Sequence, residues 1–346
     1  MTDTAFRTAR RRRWLPWVGG LVGAAALALL LRRFDLDRFL SILAGADVRF
    51  LVLVPLAIIG EQLVRAWKWR QLLQPMRSVG TLVLFGTIMA GYLLSMLVPF
   101  GFGAIARSWL VARREDLKIS AVLATVAIDR LTDGVVFACL VPVALLVVAV
   151  PDPTGDIHRG LIWGAAGSLL LFMLLLFTLV GYKRSTLHID GLLLRLVNRL
   201  PPRVAQPLRQ VGVSFAEGIA WPRERWRGAG IVLASVAIKL VAATHFLWAG
   251  LALGVVLQPG QYLFLLVFLS FLVILGHFAR VAGTFVLGAV FALGLLGIGE
   301  ERALAMVLIV MAANPLSVAG IGAFALWRQG VALGELRAAG AADAAG

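Results

Sequence analysis

Two apolar stretches of this chain are interrupted in the same way, one in each half of the sequence. In the first half, Glu61 lies in an apolar segment and Pro99 follows 38 residues later in a broken one. In the second half, Lys239 and His277 repeat this spacing, and the offset between the halves is 178 residues in both cases. Two related halves with interrupted helices are typical of the membrane domains of transporters.

The composition places this pattern in a membrane. Hydrophobic residues make up 60% of the 346 residues and the mean hydropathy is +0.91, whereas a soluble domain is about 45–50% apolar. The sequence therefore predicts an all-α polytopic membrane protein. A spanning helix needs ~20 apolar residues, and the candidate spans are 14–31, 50–66, 119–150, 161–182, 229–256 and 303–327.

The net charge of +15 is explained by basic segments beside these spans. No recognition motif for nucleic acid accompanies the charge, so a nucleic-acid partner is not expected. Cys139 is the only cysteine, which excludes an intrachain disulfide and a cysteine-built metal site. Enzyme motifs such as H-E-x-x-H, a P-loop or G-x-S-x-G are missing, and neither a cofactor nor a metal is expected.

The flanking charges also orient the spans. Basic segments mark the cytoplasmic side, which predicts that both termini and segments 67–77, 107–118 and 183–228 are cytoplasmic. Both flanks of 79–110 then lie on one side, so this stretch is predicted to be a re-entrant hairpin. Stretch 261–298 has uncharged or acidic flanks and is predicted to enter from the opposite face, although two ordinary spanning helices are an alternative.

The predicted fold is thus a single membrane domain over 1–346 with two inverted-topology repeats, each with a re-entrant helical hairpin. A basic amphipathic pattern over 186–221 fits either short helices on anionic inner-leaflet lipids or a solvated linker. The predicted parts are a first helix (14–31), repeat one (50–150), a connecting helix (161–182), a basic cytoplasmic linker (183–228) and repeat two (229–328).

Ionisable residues inside apolar segments are rare and usually functional. Asp129 and Asp133 are four residues apart in 119–150 and share a helix face, and Arg130 is adjacent. One interpretation is a salt bridge that locks helices together. The other is a cavity wall in which two acids hold an anion-attracting Arg130.

The first hairpin contains the breaks Pro99, Gly101 and Gly103, which free the backbone so that helix ends can point inward. Arg107, one turn later, would place a cation beside such an end, which favours anions. A snorkelling arginine at the cytoplasmic interface is the alternative. The second hairpin has corresponding breaks at Gly276 and Gly283.

Glu61 and Arg65 have the i, i+4 spacing of a helical ion pair. Trp67 and Trp69 are typical of an interface belt, which predicts that Arg65 is at headgroup level and that Lys68 and Arg70 lie beyond it. Glu61 is deeper and is the stronger candidate.

The second half contributes three cations, Lys239, His277 and Arg280, without an acid nearby in sequence. They are expected either to pair with acids of the first half or to line a site for an anionic headgroup. His277 alone also fits an ordinary buried histidine.

The order Glu61-Gln-Leu-Val-Arg65-Ala-Trp67-Lys-Trp69-Arg70, then Pro99 to Arg107, then Asp129 to Asp133 resembles the transmembrane region of lysylphosphatidylglycerol synthases, which also occurs alone as a flippase-like family. The resemblance covers roughly residues 15–330. It implies an all-helical fold with two inverted, re-entrant halves and the movement of lipids between leaflets. Gly101 and Ala104 stand where the family usually has Arg and Glu, and the second hairpin lacks the family's Pro and acid.

These observations predict a lipid flippase of the bacterial inner membrane, with a lipid of anionic or zwitterionic headgroup as its substrate. No aminoacyl-transfer domain accompanies the membrane region in these 346 residues, so the chain is expected not to be an enzyme. A secondary transporter of small anionic solutes and a non-transporting accessory protein of an envelope-lipid pathway are the alternatives.

Overall fold

The computed structural model describes residues 35–97, 102–147, 155–187, 202–279 and 283–330. Every regular element in these ranges is helical, which confirms the predicted all-α class. The eleven helices within them are α1 (Leu36–Ala44), α2 (Val48–Leu73), α3 (Thr81–Leu97), α4 (Phe102–Glu115), α5 (Ile119–Val147), α6 (Asp156–Leu187), α7 (Pro202–Gly218), α8 (Arg225–Ala252), α9 (Pro259–Ala279), α10 (Thr284–Leu295) and α11 (Glu300–Arg328).

Some sequence predictions fall outside the described residues. They are the first helix over 14–31 and the positions Pro99, Gly101 and Arg280. Gly276 and His277 belong to α9, but the surroundings of the His277 side chain are not described.

Five helices are long and apolar enough to cross a membrane: α2, α5, most of α6, α8 and α11. They correspond to five of the six predicted spans. The largest difference is at α2, which continues to Leu73 instead of ending near residue 66. The added turns are helical because Trp69, Leu72 and Leu73 are fully buried in the core rather than exposed in a loop.

The two interrupted stretches each form a pair of helices, as the breaks predict. In the first stretch α3 packs against α4, and in the second α9 packs against α10. Gly283 precedes α10 with a φ of 80°, in the left-handed region that glycine adopts without strain. The re-entrant and inverted arrangement of these pairs stays a prediction.

The chain divides into two compact units, and the division falls within all five long helices. The first unit contains α1, α9 and α10. In it the Asp47 amide donates to the Ala252 carbonyl (2.8 Å), and the rings of Phe50 and Trp248 stack. The bounds of this first unit are Met1–Ala57, Cys139–Ala165 and Ala242–Ala312.

The second unit contains α3, α4 and α7. One apolar core joins α2, α3, α4, α5 and α8 around Trp69 and Ile88. Another joins α3, α4 and the end of α11 around Leu94, Leu110 and Leu326. The bounds of this unit are Ile58–Ala138, Ala166–Val241 and Ala313–Gly346.

Helix α7 lies in segment 186–221, for which the sequence allowed either a helix on the membrane surface or a solvated linker. Its last residue, Gly218, packs so closely on the Ala121 carbonyl of α5 that a Cβ would overlap it. Lys183 Nζ donates to the Ile219 carbonyl just beyond the helix. The part of the segment over Pro202–Gly218 is therefore a packed helix, and its contact with lipid stays a prediction.

Candidate functional site: a buried cluster of charges

Three charged residues of α2 lie on one face of the helix. Glu61, Arg65 and Lys68 follow each other at spacings of four and three residues. Arg65 is 5% exposed and Lys68 is fully buried. Both cations are therefore inside the protein, where they face acids of α5. The level of Arg65 and Lys68 in the membrane stays a prediction.

Asp133 of α5 accepts hydrogen bonds from two of these cations. Its Oδ2 accepts a hydrogen bond from Arg65 Nη1 at 2.7 Å, and its Oδ1 accepts one from Lys68 Nζ at 2.6 Å. Arg65 Nη2 also donates to Glu61 Oε1 at 3.2 Å. Both oxygens of this buried carboxylate are thus occupied, and they join α2 to α5.

Asp129 lies one turn before Asp133 on the same face, as its spacing predicts, but it is held differently. Its carboxylate lies 3.0 Å from Lys68 Nζ, 3.5 Å from Arg107 Nη2 and 3.9 Å from Arg65 Nη1. Within the described residues neither Oδ1 nor Oδ2 of Asp129 accepts a hydrogen bond. Lys68 Nζ instead donates to the Asp129 backbone carbonyl at 2.9 Å.

Arg107 enters this region from α4. Its side chain is 3% exposed, so the snorkelling alternative is wrong. Its guanidinium lies over the Trp69 ring at 5.0 Å, and Trp69 Nε1 donates to Thr125 Oγ1 at 2.9 Å. None of the three guanidinium nitrogens of Arg107 has a hydrogen-bond partner among the residues that the structure describes.

The close approach of α3 and α4 positions Arg107. A Cβ on Gly103 would come within 2.7 Å of the Gly91 carbonyl and would overlap Ser95 Oγ. A Cβ on Gly91 would in turn lie 3.0 Å from the Arg107 Cβ. The predicted break residue Gly103 is therefore required for helix packing. Ala104, three residues before Arg107, offers no acid that could pair with it.

We call these residues together the buried charge cluster. Three cations balance three acids, so the cluster is electrically neutral, and all its partners lie in one compact unit. Ions are buried at a cost of several kcal/mol each, which only close pairing offsets. The members of the cluster are Glu61, Arg65, Lys68, Arg107, Asp129 and Asp133.

Two further cations lie beside the cluster. Arg130 is exposed and lies next to Tyr92 of α3. Lys239 Nζ of α8 lies 5.4 Å from the centre of the Phe137 ring, one turn beyond Asp133. Neither Arg130 nor Lys239 forms an ion pair with an acid inside the described ranges. Of the two interpretations of these residues, the one in which both acids hold Arg130 is wrong, because the face of Asp129 and Asp133 meets α2 and α4 instead.

A family model of the lysylphosphatidylglycerol synthase TM region matches residues 17–322. The chain belongs to this family. The match confirms the sequence resemblance. No curated protein and no solved structure matches the chain.

In this member of the lysylphosphatidylglycerol synthase TM family, the sequence identified Glu61, Arg107, Asp129 and Asp133, and the structure brings them together. It missed Lys68, because tryptophans on both sides suggested an interface. The spacing Glu61, Arg65, Lys68 is the signal that could have assigned Lys68, since it continues one helix face. No sequence pattern indicates that Tyr92 lies next to Arg130.

Proposed function

We propose that this chain moves a phosphate-bearing lipid between the leaflets of the bacterial inner membrane and that it is not an enzyme. The headgroup is anionic or zwitterionic, and it passes the buried charge cluster while the tails stay in lipid. Membership in the family and five helices long enough to span a membrane support a membrane role. The observation that supports a phosphate-bearing substrate is that the buried guanidinium of Arg107 lacks a hydrogen-bond partner among the described residues.

Arg107 is a buried arginine with five N–H donors and no hydrogen-bond acceptor among the described residues. Leaving such donors unsatisfied is unfavourable, and the group gains most from an acceptor that takes several of them at once. A phosphate oxyanion does so, since the guanidinium fork binds two of its oxygens in parallel. Its contact with Asp129, at 3.5 Å, is loose enough to be exchanged for a phosphate.

Arg130 and Lys239 extend this binding surface. Arg130 is the twelfth residue of α5, ~17 Å from the start of the helix. An exposed arginine at such a position is unfavourable in hydrocarbon by ~2.5–3.5 kcal/mol, so we place it on a polar cavity. Since the cluster is neutral, these two cations supply the uncompensated positive charge that attracts an anion.

The two-repeat architecture is part of the proposal. Helices α3 and α4 have 17 and 14 residues, or ~25 and ~21 Å, which is less than the ~30 Å of a bilayer core. Short paired helices of this kind fit a re-entrant hairpin with both ends on the cytoplasmic side. In the second hairpin, His277 and Arg280 are proposed to add cations to the lipid pathway in the inverted orientation.

A liposome assay tests the function. The purified protein is reconstituted with fluorescently labelled phosphatidylglycerol, and dithionite bleaching measures the label that has reached the outer leaflet. We expect translocation by the wild type and at least about tenfold slower translocation by Arg107→Gln, which removes one charge-assisted contact. Arg70→Gln is the matched control, because Arg70 is an exposed residue near the end of the same helix as Lys68.

Three outcomes would overturn the proposal. If the wild type moves no labelled lipid but takes up a small soluble phosphate ester, the chain is a solute transporter. If the wild type moves neither the labelled lipid nor the phosphate ester, and cells with Arg107→Gln keep the full cellular activity of the wild type, the protein is an accessory component and not a transporter. If Arg107→Gln and Arg70→Gln both translocate at the wild-type rate, the cluster is not the lipid path.

A further inference from the structure

A second group of cations lines a small surface pocket away from the buried charge cluster. The pocket has a volume of ≈ 280 Å³ and lies between the last turn of α4 and the end of α11. Three of its five lining residues are arginines, and none of the five is an acid. The lining residues are Leu110, Arg113, Arg114, Arg328 and Gln329.

Two of the arginines of this pocket, Arg114 and Arg328, are only weakly engaged by the protein. Arg114 Nε lies 3.5 Å from the neighbouring Glu115, and the Arg114 side chain is half-exposed. Arg113 lies over the Trp109 ring at 5.3 Å. Arg328 forms neither a hydrogen bond nor an ion pair with any residue that the structure describes. Gln329 Nε2 donates to Thr87 Oγ1 at 3.5 Å and ties the pocket to α3.

A basic residue in the last turn of a helix is favourable by itself, because it compensates the partial negative charge of the helix C-terminus. This explains each arginine singly, since all three lie in last turns. It does not explain why two helix ends bring three like charges to one concave site. Their mutual repulsion is relieved by an anion with several acceptor oxygens, and arginine suits phosphate.

The surface beside Arg328 is apolar. Phe324 is 56% exposed and Trp327 is 75% exposed, and their ring centres are 5.9 Å apart. Aromatic residues at the end of a membrane span sit at the headgroup level of the bilayer. A lipid whose phosphate occupied the pocket could therefore place its acyl chains against these rings.

We propose that this pocket binds the phosphate group of an anionic membrane lipid, as a site separate from the buried charge cluster. The lipid is retained rather than translocated, and it holds the end of α4 against the end of α11. Arg107 and Arg113 are six residues apart on α4, or ~9 Å. The bound lipid thus fixes the helix that carries Arg107 and regulates the proposed translocation.

Lipid retention can be measured without any transport assay. Native mass spectrometry of the purified protein in mild detergent, after exchange into phosphatidic acid, counts the bound lipid. The triple variant Arg113→Gln, Arg114→Gln, Arg328→Gln is expected to bind this lipid at least about tenfold more weakly, since it loses several charge-assisted contacts. The charge-matched control replaces the exposed residues Arg49, Arg70 and Arg225 by Gln and should retain it.

A thermal-shift measurement separates the two possible sources of the phosphate. We expect phosphatidic acid, but not millimolar inorganic phosphate, to raise the melting temperature of the wild type, and neither to raise that of the triple variant. Arg328→Gln alone, at the last residue of α11, keeps the test valid if the triple variant folds poorly, and it should weaken lipid binding in the same direction. Equal stabilisation by inorganic phosphate would overturn a lipid ligand.

Equal lipid retention by the triple and control variants would overturn the site itself. A wild type that binds the lipid here but moves none in liposomes would leave this site standing while the proposed function fails.

Discussion

The two aspartates of α5 lie one turn apart on the same helix face and face the same cations, yet their environments differ. Both oxygens of Asp133 accept short hydrogen bonds, from Arg65 and Lys68. Asp129 has ion pairs but no hydrogen bond to its carboxylate among the described residues, and its partner Arg107 has none either. We infer that the Asp133 side of the cluster is structural and that the Arg107 side is the one whose unsatisfied donors a ligand would occupy.

This difference has a physical basis. A buried carboxylate whose oxygens are both occupied stabilises the contact between two helices and cannot exchange its partners without breaking that contact. Arg107 is held by a ring, by a loose ion pair and by the packing of α3 on α4. In the proposed function, a ligand phosphate replaces the ion pair of Arg107 with Asp129, while Asp133 keeps its bonds to Arg65 and Lys68.

The largest effect is expected from Asp133→Asn. This change leaves Arg65 and Lys68 with one acid fewer in a buried site, and breaking a buried pair in this way costs about 3–5 kcal/mol. Equilibrium unfolding in mixed micelles should show this loss of stability. Glu217→Gln is the control, because Glu217 is 54% exposed and lies 3.9 Å from Lys118, a pair of the class that contributes about 0–1 kcal/mol. Equal stability changes in the two variants would contradict a structural role for Asp133.

A smaller loss, about 1–3 kcal/mol, is expected from Gly103→Ala, because the added methyl group must displace Ser95 and the Gly91 carbonyl. The same change shifts α4, so it should also slow translocation. Gly167→Ala is the control, since a Cβ there meets nothing within 4 Å. If Gly103→Ala were as stable as Gly167→Ala, the position of Arg107 would not depend on this contact.

The smallest effect is expected from Trp69→Phe. Phenylalanine keeps a ring under Arg107 but loses the hydrogen bond from Nε1 to Thr125, which is worth about 1 kcal/mol. Thr125→Val removes the same bond from the other side. A double-mutant cycle measures the coupling. A coupling of zero would show that the bond does not support the Arg107 side.

The sequence was sufficient to predict the helices and part of the cluster. Long apolar runs and Gly breaks predicted six spans and two interrupted stretches, and five of these spans are long apolar helices in the described residues. The i, i+4 spacing put Asp129 and Asp133 on one face. Lys68 was counted among the charges of a cytoplasmic segment, because the positive-inside rule uses charges beside apolar runs and carries no information about their partners. Its burial against Asp129 and Asp133 comes only from the structure.

The interpretation in which Asp129 and Asp133 hold Arg130 was also wrong. Adjacent residues on a helix point in different directions, so the neighbour of Asp129 in sequence is not its partner in space. The contact between Arg107 and Trp69 joins α4 to α2, and spacing within one helix carries no information about it.

A cryo-electron microscopy structure of the protein in nanodiscs that contain phosphatidylglycerol would show directly whether Arg107 binds a lipid phosphate. We expect a lipid phosphate with oxygens within ~3.2 Å of the Arg107 guanidinium nitrogens, while Asp133 keeps its bonds to Arg65 and Lys68. This expectation would be contradicted if protein groups or water satisfied Arg107 and ordered lipid phosphates occurred only at the membrane surfaces.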